Sequence, residues 1–416
     1  MKRNAIATGA TFALMALITA FGPGVQAAGI AERYTLDQLK ALALQVNASL
    51  GAARADVDVS RADTLTAQAY PNPEIEIGAG DRNARGPGLA PGTLGSVTLS
   101  QRFDYPSQRD ARLRVAEAGV ASAQHGARAF EVALLAQLKQ DFYAVIRFQG
   151  ELRAAQEDLE LAQAIRRRVE VRVSTGEAPR YELIKADTEL LTAQKNAAAA
   201  GLRVEQAKAR LRARVGGTLP ADYELEGSLV SDVTLPPLER LRDDMLARNP
   251  EIARVRADIE RAGQQLELER LRRAPEVALK LGQDRDPEYD ATRIGVAVTI
   301  PLFDRRQGPI AQAGAELARN RLALDGRMFE LLQQLDVAYR QYELSRNQVS
   351  ALETGIVREA EAALKVAEAA YRFGERGILD FLDAQRVFRA ARNELIAARY
   401  ELSAALAEIE RLGAMP

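Results

Sequence analysis

Cysteine is absent from the chain, which excludes disulfides, thiolate metal sites, cysteine nucleophiles and a lipid-carrying N-terminal cysteine. A single histidine, His125, leaves no partner for a histidine-based zinc site or a Ser–His triad, so an ordinary helix side chain is expected there. Tryptophan is missing and aromatic residues make up only 5% of the chain, thin for a large globular core. Neither sign of charge prevails. Lys plus Arg number 56 against 57 Asp plus Glu, which gives no electrostatic reason to expect nucleic acid or a polyacidic partner. Past residue 27 no segment approaches 18 uninterrupted apolar residues, so no membrane-spanning helix is expected. No nucleophile–base set, phosphate loop or metal triad is present either. The chain is therefore not expected to be an enzyme, and neither a cofactor nor a metal site is expected.

What is there begins with an export signal. Lys2 and Arg3 precede an apolar run over 5–21, Pro23 and Gly24 break it, and Val25, Gln26 and Ala27 supply a small-residue cleavage site. Residues 1–27 read as a signal peptide. The mature chain is then secreted, periplasmic or built into an outer membrane as a β-barrel.

The 416 residues hold an internal repeat. At an offset of 202, Leu36 aligns with Leu238, Leu39 with Leu241, Asn47 with Asn249, Asp56 with Asp258 and the Pro73-Glu74 step with Pro275-Glu276. At an offset of 198, Gly176-Glu177 aligns with Gly374-Glu375, Glu182 with Asp380 and Ala186 with Ala384. The first repeat is placed at 28–237, ending in a Gly- and Pro-containing connector at 216–237, and the second at 238–416. Each reads as helix, two strands, a very long helix, a sharp turn and a helix. The expected helices are 35–69, 107–175, 178–215, 238–272, 310–373 and 378–412, with turns near Gly176 and Gly374. A helix over 107–175 is roughly 100 Å long at 1.5 Å per residue. Its length matches 178–215 and 238–272 laid end to end, and 378–412 with 35–69 could accompany the second long helix in the same way.

The strand pairs lie within 73–103 and 275–301, as segments 73–82, 93–103, 275–284 and 292–301. They alternate: Ile75 and Ile77 against Glu74 and Glu76, and Ile294, Val296, Val298 and Ile300 against Arg293, Gly295 and Thr299. Such segments suit transmembrane barrel strands, apolar toward lipid and polar toward a lumen, although two ordinary hairpins on a soluble core share the pattern. Four strands cannot close a barrel, and an open edge in lipid is prohibitively costly. Several copies must pool strands, and three would supply twelve.

Hairpins inserted twice between a half-length and a full-length helix resemble the outer-membrane efflux (TolC-like) family, and the run YRFGERGILDFLDA from Tyr371 to Ala384 is similar to that family's second periplasmic turn. Asn72-Pro73-Glu74 and Leu99-Ser100-Gln101 are most similar to its heavy-metal branch, the cobalt–zinc–cadmium or nickel (CzcC-like) resistance channels. The resemblance implies a mainly α fold of duplicated long-helix hairpins forming an α-helical barrel. Four strands per chain would join a trimeric 12-stranded transmembrane β-barrel. It implies a Gram-negative outer membrane, a periplasmic extension, a periplasmic adaptor and an inner-membrane proton-driven pump as partners, and passive export of heavy-metal cations. A pore-less periplasmic adaptor or scaffold, or a duct for drugs or secreted proteins, are the alternatives.

Asp380 and Asp383 stand three apart at a helix start, on one face. By resemblance they would ring the closed periplasmic mouth as channel-gate residues. Tyr371 and Arg376 match positions that tether the inner hairpin to its neighbour, with Glu182 the best carboxylate for that tether. Arg376→Ala or Tyr371→Phe is then expected to give a leakier channel. The turns carrying Gly176, Glu177, Gly374 and Glu375 are the candidate adaptor-docking surface.

Overall fold

The computed structural model describes residues 32–83, 86, 91–217, 219–229 and 233–413. The expected signal peptide and most of the loop between the first two strands lie outside the described residues. In chain order the elements are β1 (Glu32–Tyr34), α1 (Leu36–Val46), α2 (Ala48–Gln68), β2 (Glu74–Arg82), β3 (Gly92–Phe103), α3 (Pro106–Ser174) and α4 (Arg180–Val215). Then come β4 (Tyr223–Leu225), α5 (Leu238–Arg248), α6 (Pro250–Leu271), β5 (Glu276–Arg285), β6 (Asp290–Thr299), α7 (Gln307–Ala351), α8 (Val357–Arg372) and α9 (Ile378–Arg411).

The strands form one antiparallel sheet in the order β2-β3-β5-β6. Its register sorts the side chains by chemistry. Ile75, Leu99, Leu281 and Ile294 lie opposite one another across all four strands, and all four are exposed. One residue along each strand, on the other face, the row is Glu74, Ser100, Lys280 and Gly295. At the far end of the hairpins, Arg82 donates to Asp286 and to Glu288, each at 2.7 Å, joining the two hairpins.

Each strand runs on into a helix, and the helices keep the strand order. Toward the sheet, α3 packs between α2 and α6, and α6 also meets α7; farther away, α3 packs between α4 and α9, and α9 meets α7 and α8. The result is a single curved layer with α2 and α4 on one flank and α7 and α8 on the other. The N-terminal half-length helix thus accompanies the first long helix, not the second as its length suggested. The β2–β3 hairpin joins α2 directly to α3 and leaves the outer flank of α7 without a helix of its own chain.

Both half-length helices differ from the unbroken rods expected over 35–69 and 238–272. They break at Asn47 and Asn249, which have extended backbone and cap the following helix. Asn47 Oδ1 accepts from the Leu50 amide at 3.0 Å, while its Nδ2 donates to the Arg214 carbonyl at 2.9 Å. Asn249 Oδ1 accepts from Glu251 and Ile252, and its Nδ2 donates to the buried Leu412 carbonyl at 3.0 Å. Apolar spacing continues in phase through each break, which hid it. The second long rod is also interrupted: α7 and α8 are joined by a π-helical turn, Leu352–Ile356. Asn249→Ala is expected to cost about 1–2 kcal/mol, because a cap is lost and a buried carbonyl loses its donor. Denaturant unfolding of the purified protein checks it.

Two apolar clusters fill the equator, where these breaks occur. One joins Leu39 and Ala43 to Leu138, Phe142, Leu211 and Tyr223; the other joins Leu241, Met245 and Ile252 to Leu331, Leu335, Leu402 and Ile409. Described connector residues pack on both: Leu219 and Tyr223 on the first, Val233 and Leu235 on the second. The connector's β4 pairs in parallel with β1, Tyr223 Oη donates to the Lys208 carbonyl, and Tyr342 Oη donates to the Val233 carbonyl at 2.6 Å. The three-residue strands β1 and β4 are too short to show a sequence period.

Candidate gate at the helical-hairpin tips

The ends of the hairpins remote from the sheet are two copies of one turn. After α3, the amides of Glu177 and Ala178 donate to the Arg172 carbonyl, with Gly176 at φ 79°. After α8, the amides of Glu375 and Arg376 donate to the Ala370 carbonyl, with Gly374 at φ 78°. Left-handed backbone at this position of a helix C-terminal turn strongly favours glycine, which has no Cβ to clash. Glu177 and Glu375 follow at the extreme tips, both exposed.

Behind the tips a third apolar cluster locks the hairpins together: Ile165, Val169 and Ala186 of the first against Tyr371, Ile378 and Phe381 of the second. The Tyr371 ring stacks on Phe381 at 5.9 Å and 5°, and the Arg172 guanidinium lies 5.2 Å from its centroid. Tyr371 thus lies between the hairpins by packing. Among the described residues its hydroxyl is buried without a hydrogen-bond partner, and so is Oε2 of Glu182. Arg376 does not reach Glu182. It pairs at 3.5 Å with Asp380 of its own turn, while Asp383 pairs at 3.8 Å with Arg386. Both pairs are exposed, so each contributes at most about 1 kcal/mol. Asp380 and Asp383 therefore present a carboxylate pair at the start of α9, partly neutralised by local arginines.

The ionic links between hairpins lie further up and were missed. Arg389 of α9 donates to Glu189 of α4 at 2.9 Å, and Arg392 reaches Glu157 at 2.8 Å and Asp158 at 3.0 Å. Arg392 also donates to the Ala154 carbonyl. The sequence signal was an arginine pair three apart on one helix face, but spacing alone names no partner helix. Burial pushes the Asp158 carboxyl above its ordinary range, more than Arg392 and Arg389 pull it down. A carboxyl raised in the folded state favours folding most below its unfolded pKa, and that contribution is lost as pH rises through the raised value. Asp158→Asn is expected to remove this pH dependence, leaving Arg392 on Glu157 and the Ala154 carbonyl. Amide hydrogen exchange in α9 between pH 4 and 7, variant against parent, reads the effect.

Among the described residues no group of three or more His, Asp or Glu could hold a metal ion, and no helix is long and apolar enough to cross a membrane.

Comparison with known proteins agrees with this geometry. The family model described as outer membrane efflux protein matches residues 39–217 and 241–413. The chain is 26% identical to the cobalt-zinc-cadmium resistance protein CzcC of Cupriavidus metallidurans, over 91% of this chain and 89% of that protein. It is 28% identical to the nickel-cobalt-cadmium resistance protein NccC of Alcaligenes xylosoxydans xylosoxydans, over 65% of this chain and 62% of that one. It superposes on the crystal structure of the outer membrane protein VceC from Vibrio cholerae with a TM-score of 0.75 at 20% identity, covering 91% of this chain and 96% of that chain. Its fold is that of a channel subunit, with four strands for a transmembrane β-barrel and long helices for an α-helical barrel beneath it. With an apolar face on its strands and its duplicate helical tips at the opposite end, the chain belongs to the outer membrane efflux protein family, whose members are passive outer-membrane channels and not enzymes.

Proposed function

We propose that three copies of this chain assemble into the outer-membrane duct of a tripartite efflux system that exports heavy-metal cations. The observation that carries this reading is the sheet. β2 and β6 are edge strands, and in a bilayer each unpaired edge group costs several kcal/mol. Pairing β6 of one copy with β2 of the next removes every edge, and three copies supply twelve strands. The helical layer supports the same closure: Val59 and Leu65 on α2, and Leu322 and Phe329 on α7, are exposed apolar side chains of the two helices that border the layer beside the sheet. The two repeats, 28–237 and 238–416, would then alternate around the duct.

The cargo follows from the relatives, which are named for resistance to cobalt, zinc, cadmium and nickel. The duct itself does no chemistry, so selection of the metal falls to an inner-membrane proton-driven pump. A periplasmic adaptor would dock on the turns carrying Gly176, Glu177, Gly374 and Glu375. Asp380 and Asp383, repeated by threefold symmetry, would make rings of carboxylates that attract cations at the constriction. Tyr371, Arg376 and Glu182 would shape the gate around them. Deleting the gene and measuring growth in cobalt, zinc, cadmium and nickel tests this reading. It expects sensitivity to at least one of these metals, restored by the intact gene. Unchanged metal tolerance with new sensitivity to drugs would assign the duct to another cargo.

A further inference from the structure

We propose that the junction between the sheet and the helices is a binding belt for the headgroups of anionic phospholipids in the periplasmic leaflet. This rests on the reading that the β2-β3-β5-β6 sheet spans the bilayer, and it adds which lipid the lower rim prefers.

Three observations converge at the junction. First, the apolar face of β6 does not stop with the strand. Ile294, Val296 and Val298 are followed by Ile300, Leu302 and Phe303, all exposed, and the Phe303 ring is 93% exposed. Phe103 is exposed at the same end of β3. An aromatic ring at this level is placed as interfacial aromatics are, at the depth of the headgroups.

Second, the arginines beside it are sorted by one buried carboxylate. Glu269, whose side chain is only 7% exposed, accepts from Arg272 at 2.9 Å and from Arg306 at 2.6 Å. The clamp ties the end of α6 to the start of α7. The chain neighbours of the two clamped residues, Arg273 and Arg305, are exposed. Arg305 Nε donates to the Leu302 carbonyl, which holds it beside the apolar rim. Among the described residues neither Arg273 nor Arg305 meets a carboxylate.

Third, the opposite end of the sheet is built differently. There Arg82 pairs with Asp286 and Glu288, Arg285 with Asp290, and Arg293 with Asp284. Among the described residues every arginine at that end is thus paired with a carboxylate, whereas Arg273 and Arg305, at the rim that faces the periplasm, are not.

A guanidinium is a planar fork of donors suited to two oxygens of a phosphodiester. A zwitterionic headgroup carries its own ammonium beside the phosphate, so an arginine without a carboxylate favours the headgroup with net negative charge. Each basic side chain near an anionic membrane surface contributes enough for roughly a fivefold preference.

The chain contains no tryptophan, so Phe303→Trp would place its sole tryptophan, excited selectively at the red edge of the absorption band, at the rim. The full mature protein carrying this change is reconstituted in phosphatidylcholine with increasing brominated phosphatidylglycerol or brominated phosphatidylcholine, and quenching is compared. The expected result is apparent binding of phosphatidylglycerol at least about fivefold stronger than phosphatidylcholine. In Phe303→Trp combined with Arg273→Gln and Arg305→Gln, that ratio is expected to fall to about one with phosphatidylcholine quenching unchanged. Equal quenching by both lipids in the parent, or a preference that survives loss of both arginines, overturns the proposal. Absence of quenching by either lipid contradicts instead the bilayer placement of the sheet.

Discussion

Replacing Leu281 with arginine is expected to prevent assembly into the outer membrane. Leu281 sits in the middle of the row Ile75, Leu99, Leu281 and Ile294, which runs across the whole sheet on its apolar face. An arginine on the lipid face near the midplane of a barrel costs about 2–4 kcal/mol. Three copies pay it at once, and the row itself holds no carboxylate to offset it. Lys280, the preceding residue, points to the other face, opposite Ser100 and Gly295. Lys280→Gln is therefore expected to assemble normally. Membrane fractionation and heat-dependent migration of the two variants make the comparison. Equal assembly of both would mean that the alternation does not separate lipid from lumen.

The second large effect is expected at the tips. Phe381 is 2% exposed, stacks on Tyr371 of its own hairpin and packs in the cluster that joins the two hairpins, so Phe381→Ala should remove about 3–5 kcal/mol from that cluster. That cluster is separate from the two equatorial cores, so the loss should be local rather than global. The expected signature is faster proteolysis in the tip turns and higher single-channel conductance, with the oligomer intact. Tyr371→Phe, by contrast, removes a buried hydroxyl that has no partner and should leave conductance unchanged. The leak expected from sequence for this substitution assumed a hydrogen bond that Tyr371 does not make. If Tyr371→Phe leaks as much as Phe381→Ala, the tips are held by that hydroxyl and not by packing.

The features legible in the sequence were those written in local periodicity. Alternation along Ile294, Val296 and Val298 located a strand and its apolar face, and the paired Gly-Glu steps at Gly176 and Gly374 located both turns. The proline-free stretch after Ser107 gave the long helix almost to the residue, since α3 begins at Pro106 and ends at Ser174. What stayed hidden depended on partners distant in the chain. Asn47 and Asn249 look like any polar residues on an amphipathic helix until the carbonyls of Arg214 and Leu412 are placed beside them. Arg389 and Arg392 look like part of a solvated face, and only the packing of α9 against α3 brings Arg392 to Asp158 and Arg389 across to Glu189 of α4. At the hairpin tips the links of the residues were not legible: Tyr371 lies between the hairpins, whereas Arg376 turns back to Asp380.

The central claim is that identical copies close the open sheet into a conduit through the outer membrane. The mass of the detergent-purified mature protein, measured by native mass spectrometry after the detergent is stripped, tests it most directly. A particle of three chains is the predicted result; a single chain, stable in water and free of detergent, would contradict it.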